Sequence, residues 1–81
     1  MKEKSSKGKQ FRNDEALQII GANIRKCRLA KGMSQVELAL ECGDKDWSQI
    51  SRMERGLVNF TISYLLLIAE ALEVAPKELL P

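Results

Sequence analysis

Residues 32–56 run GMSQVELALECGDKDWSQISRMERG. Ser34 followed by Glu37 is a capping box, in which the serine hydroxyl takes the N–H of residue 37 and the glutamate takes the N–H of residue 34. Met33 before the cap and Leu38 after it form the matching hydrophobic staple. A helix therefore starts at Gln35, with Leu38, Ala39 and Cys42 on its inward face and Gly43 as its stop. After the polar break Asp44-Lys45-Asp46, the pairing of Asp46 with Gln49 predicts a second cap. A further helix then runs from Trp47 to about Arg55. Ile50 and Met53 face inward, and Gly56 ends it. Helices this short cannot stand alone. They must share one core and cross steeply through a short turn, which is a helix-turn-helix.

The outward face of the second of these helices carries chemistry. Its first turn is Trp47, Ser48 and Gln49, and Arg52 follows one turn later. These side chains are donors, acceptors and a flat ring, unlike the Glu/Lys mix of a merely solvated face. Arginine reads guanine with two bonds, glutamine reads adenine, and serine serves several base edges. Free N–H groups at a helix start also suit phosphate.

The rest of the chain supports one domain. With 81 residues, 44% of them hydrophobic and 30% charged, the composition is that of a soluble globule. Residues 1–12 hold Lys2, Lys4, Lys7, Lys9 and Arg12 against Glu3, a net +4. They lack a core pattern and read as a flexible basic arm, either a solvated tail or a polyanion contact. Residues 13–81 form the helical domain. Its first helix runs from about Asp14 to Lys31, capped by Asn13, with Leu17, Ile20, Ile24 and Cys27 on one face and Gly32 as the stop. Thr61 caps a fourth helix, with Phe60 stapled to Leu65 and a core stripe of Leu65, Ile68, Ala69 and Leu72. A fifth short helix starts at Pro76 and tucks Leu79 inward. Cys27 and Cys42 lack metal or redox spacing and read as buried thiols.

The segments IRKCRLAKGMSQVELALECG and ISRMERGLVNFTISYLLLIAEALEV resemble the Cro/phage-repressor, or XRE-like, type of helix-turn-helix. The resemblance covers about residues 20–80 and rests on GMSQ, on LA at 38–39, IS at 50–51, ERG at 54–56 and IAEAL at 68–72. It implies an all-α, compact five-helix bundle of the lambda-repressor-like kind, binding double-stranded operator DNA with its third helix in the major groove. The implied protein is a small transcriptional regulator, expected to be a repressor. By the same resemblance Gln35 holds a phosphate. Trp47, Ser48 and Arg52 read bases with Gln49 nearby, and Arg55 and Asn59 touch backbone. Two departures stand out. The turn at 44–46 is one residue longer than usual, and a tryptophan occupies position 47. Its ring either meets a thymine methyl or sugar-phosphate, or folds back over the core.

Glu54 lies near the negative end of its helix, where a carboxylate is disfavoured. Arg28, beside the inward face of the first helix, is the expected partner, and the resemblance implies the same ion pair. A domain this small touches few base pairs, so a homodimer on two half-sites is expected. Tyr64, Leu67 and Ala71 lie on a second face of the fourth helix, either as extra core or as the dimer contact. The alternative function is an antitoxin or docking adaptor, with a toxin as the protein partner. An enzyme, a cofactor or a metal is not expected, because no nucleophile–base pair, ligand spacing or phosphate loop occurs and the chain has no histidine. No apolar run is long enough for a bilayer, and the expected location is the cytoplasm.

Overall fold

The computed structural model describes residues 12–81. The arm expected at 1–12 lies outside the described residues except for Arg12, whose Nε donates to Asp14 Oδ1 at 3.1 Å. Four α-helices follow in order: α1 (Asp14–Ala30), α2 (Gln35–Glu41), α3 (Ser48–Glu54) and α4 (Ile62–Leu72). A 3-10 turn over Pro76–Leu79 comes last. No strand occurs among the described residues, and no helix among them is long and apolar enough to cross a membrane.

The expectation of five helices is corrected to four α-helices and this turn. Proline brings no N–H to its first position, and the short segment closes with tight bonds three residues apart, Glu78 N to Ala75 O at 2.9 Å and Leu80 N to Lys77 O at 3.2 Å. Asn23 of α1 anchors it, its Nδ2 donating to the carbonyls of Leu79 and Leu80.

Three helix starts are held by the residue immediately before them. Asn13 Oδ1 accepts the Ala16 N–H at 3.0 Å. Ser34 and Glu37 close the capping box in both directions, at 3.0 and 2.8 Å. Thr61 Oγ1 accepts the Tyr64 N–H at 3.1 Å. α3 differs. It starts at Ser48 rather than Trp47, and Trp47 makes no side-chain cap bond. Asp46 does act as a cap, but through Ser48 N–H at 2.9 Å, and Gln49 returns no bond to it. The reason is local: the Asp46 N–H that Gln49 would accept is already taken by Asp44 Oδ1 at 3.0 Å.

The core gathers Ile20 and Ile24 of α1, Leu38 and Ala39 of α2, Ile50 and Met53 of α3, Leu65, Ile68, Ala69 and Leu72 of α4, and Leu79. Cys27 and Cys42 are free thiols, half-buried against it. Burial first, then the nearby Asp44 and Glu41 carboxylates, pushes the Cys42 thiol up. α1 and α3 cross in close contact at Gly21. A Cβ there would lie 2.3 Å from the Met53 carbonyl oxygen and 2.7 Å from that of Glu54. Only a residue without a side chain lets the two backbones meet.

The second face of α4 divides. Tyr64 and Ala71 pack against the core, and Leu67 is half-buried. The exposed apolar residues of α4 are instead Ile62 (66%) and Leu66 (46%), four residues apart on the opposite shoulder of the core stripe. Periodicity alone cannot tell the two shoulders apart, because which one is covered depends on where α2 and the turn lie.

Candidate nucleic-acid interface

α3 is held from beneath and open above. Ile50 and Met53 are almost fully buried, and they fix the helix by its apolar face. Glu54 fixes it by charge. Arg28 Nε donates to Glu54 Oε2 at 2.6 Å, and Arg28 Nη2 donates to Oε1 at 3.0 Å. The third Arg28 nitrogen, Nη1, reaches the Met33 carbonyl at 2.8 Å. Gln35 Nε2 completes the set by donating to Glu54 Oε1 at 3.0 Å. Both side chains of the ion pair are nearly dry, 7% and 3% exposed. A buried pair costs desolvation, and the two-pronged geometry with extra hydrogen bonds offsets it. One carboxylate of α3 thus joins that helix to Arg28 of α1 and Gln35 of α2.

The open side presents the residues that the sequence singled out. Ser48 and Gln49 are half-buried and Arg52 is exposed. Trp47 is 48% exposed, so its ring neither lies fully on the core nor stands free. Arg55 is exposed and its Nε reaches the Ser51 carbonyl at 3.4 Å. Asn59 is half-buried in the loop leading to α4. Gln35 is turned toward Glu54 with one amide hydrogen and keeps a second as a donor.

Arg25 went unnoticed at the level of sequence. It lines an open cleft with Arg28, Ser34, Gln35, Val36 and Trp47, between the end of α1, the start of α2 and the entry to α3. The signal was present: Arg25 stands three residues before Arg28, one turn back along α1. Arg28 is neutralised by Glu54, so Arg25 supplies the unneutralised positive charge of that cleft.

The approach to α3 carries the opposite sign. The backbone N–H of Ser48 first, then its hydroxyl, holds the exposed Asp46 carboxyl below the usual carboxylate range, with Arg52 adding to the shift. Asp44 is half-buried, and its Oδ2 accepts the Tyr64 hydroxyl of α4 at 3.4 Å. Among the described residues no cluster of His, Cys, Asp and Glu is placed to hold a metal ion.

Two short helices sharing a core, the second offering polar and cationic side chains outward, define a helix-turn-helix unit. Residues 24–79 match the helix-turn-helix family, and this chain belongs to it, in its XRE or Cro/phage-repressor branch. It is 43% identical over 63 residues to the control protein C.BamHI of Bacillus amyloliquefaciens, covering 76% of either chain. Its fold is similar to that of the restriction-modification controller protein C.AhdI from Aeromonas hydrophila, with a TM-score of 0.74 and 40% identity over 78% of this chain and 94% of that one. The DNA-binding domain of BldD superposes with a TM-score of 0.77 at 27% identity, covering 86% of this chain and all of that domain.

Proposed function

We propose that this chain is a small, non-catalytic, cytoplasmic transcriptional regulator that binds operator DNA sequence-specifically, as a homodimer with α3 in the major groove of each half-site. The observation that carries the reading is the two-sidedness of α3. Its inner side is locked by Ile50, Met53 and the buried Glu54, while Ser48, Gln49 and Arg52 are left toward the outside. In this reading Trp47, Ser48, Gln49 and Arg52 meet base edges, and Gln35, Arg55 and Asn59 hold phosphates. Arg25 joins the phosphate set. The arm at 1–12 adds phosphate contacts without sequence preference. The dimer contact is the Ile62–Leu66 shoulder of α4, the exposed apolar side of that helix.

The kinship with controller proteins suggests the genes concerned: those of a restriction–modification pair, repressed or paced by this chain. The alternative of an antitoxin or docking adaptor finds no support among these relatives. The test is selection of bound sequences from random duplex DNA at fixed salt, followed by sedimentation of the chain on the selected site. A recovered palindrome occupied by two chains is expected. Recovery of no preferred sequence refutes the DNA reading, and a lone chain on the palindrome refutes the dimer.

A further inference from the structure

Asp44 is bonded to more of the fold than any other residue of the turn. Its backbone N–H donates to the Ala39 carbonyl at 2.9 Å and so closes α2. Its Oδ1 accepts the Asp46 N–H at 3.0 Å. Asp46 Oδ1 in turn accepts the N–H of Ser48, the first residue of α3, at 2.9 Å. Asp44 Oδ2 accepts the Tyr64 hydroxyl from α4 at 3.4 Å. We infer that Asp44 is a positioning residue for base recognition: through Asp46 it sets where α3 begins and how its first turn faces the duplex, and through Tyr64 it ties that setting to α4. The inference deepens the DNA-binding reading and rests on it.

Three observations lead there. The far end of α3 is clamped by Glu54, but its near end has no side-chain cap bond from Trp47, so beside the buried Ile50 the Asp44–Asp46 relay is the polar hold on its first turn. The outward residues on that first turn are Ser48 and Gln49, both shorter than Arg52, so their reach to a base edge depends more on the backbone's position, whereas Arg52 is long enough to adjust. And α4 carries the exposed Ile62–Leu66 shoulder, so a contact made there shares a rigid helix with Tyr64. Assembly and base reading then meet at one carboxylate.

The test uses the full chain and three variants on a binding matrix, the selected site against its single-base changes at fixed salt, with thermal unfolding run on each. Asp44→Ala and Asp44→Asn remove the same negative charge, so its repulsion from phosphates cancels between them. Asparagine keeps a carbonyl able to accept the Asp46 N–H, and alanine does not. Asp44→Ala is expected to lose about five- to tenfold of the discrimination at the base pairs facing Ser48 and Gln49, the weight of one net hydrogen bond. The pair facing Arg52 and binding to random duplex should change less. Asp44→Asn should stay within about twofold of the wild type, and Tyr64→Phe, which cuts only the tie to α4, should fall between the two. If Asp44→Ala does not fold, Asp46→Ala breaks the same relay one bond further along and carries the same expectation. Discrimination unchanged in the alanine variant, or lost equally in alanine and asparagine variants, overturns the role. Wild-type discrimination at every pair in Tyr64→Phe overturns the tie to α4. A wild-type chain without a preferred site refutes the DNA reading itself, and that result is known before any variant is compared.

Discussion

α3 is held at its two ends by opposite means. At the end that meets α1, a carboxylate sits in a nearly dry pocket with a two-pronged guanidinium and an amide on it, and Gly21 brings the backbones together. At the end that leaves the turn, two aspartates accept N–H groups at or near the surface. Unmaking the first leaves a charge in low dielectric; unmaking the second lets water take over the bonds at small net cost. The difference separates two tasks. The dry junction decides where α3 lies. The wet turn trims how its first residues are presented.

That contrast is most easily broken from the dry side. Glu54→Ala strands the Arg28 guanidinium and should cost about 3–5 kcal/mol, read by denaturant unfolding. A loss of under about 1 kcal/mol would show that the junction is no stronger than a surface pair. Gly21→Ala should come next. With carbonyl oxygens 2.3 and 2.7 Å from the new methyl, α1 and α3 must part, at about 2–3 kcal/mol. Unfolding at wild-type denaturant concentration would mean that the crossing is loose.

The outward side responds in binding rather than in folding. Arg52→Ala should lose about 1–3 kcal/mol of specific affinity and relax preference at one base pair per half-site, with stability nearly unchanged. Gln35→Ala should weaken all sequences together, since phosphate contacts carry little sequence information. It should also cost about 1 kcal/mol of stability for the bond to Glu54. A uniform fall across the matrix for Arg52→Ala would make Arg52 a backbone clamp.

The smallest effect is a titration, and it sharpens the picture of the turn. Tyr64 is the only tyrosine of the chain, so its phenolate absorbance is read directly. Burial first, then the charges of Cys42 and Asp44, raises its pKa to about 12. The folded chain holds this proton more tightly than the unfolded one. Its contribution to stability is therefore whole below about pH 10 and is lost as pH rises through the folded value. Asp44→Ala should lower the midpoint only in part, because burial is the larger cause. A wild-type midpoint at the ordinary tyrosine value would place the ring in solvent.

What this sequence determines by itself is what short-range chemistry determines. The start of α2 could be read because Ser34 and Glu37 satisfy each other within one turn. The core stripes of α1 and α4 could be read because burial imposes a helical period. Ser48, Gln49 and Arg52 stood out because Ile50 and Met53 between them had to face inward. Arg28 could be matched to Glu54 because a carboxylate at a helix C-terminus calls for a cation, although Gln35 as a third member had no local signal. The fold alone decided the rest. The rank of Gly21 depends on carbonyls that arrive from residues 53 and 54. The exposed shoulder of α4 proved to be Ile62 and Leu66 because the other shoulder, with Tyr64 and Ala71, packs against the core. Asp46 caps α3 as its sequence suggests, but the return bond comes from Asp44 rather than Gln49, because Asp44 Oδ1 in the turn already takes the Asp46 N–H. In each of these the deciding partner lies on another element or on an irregular turn, and a one-dimensional pattern carries no distance between them.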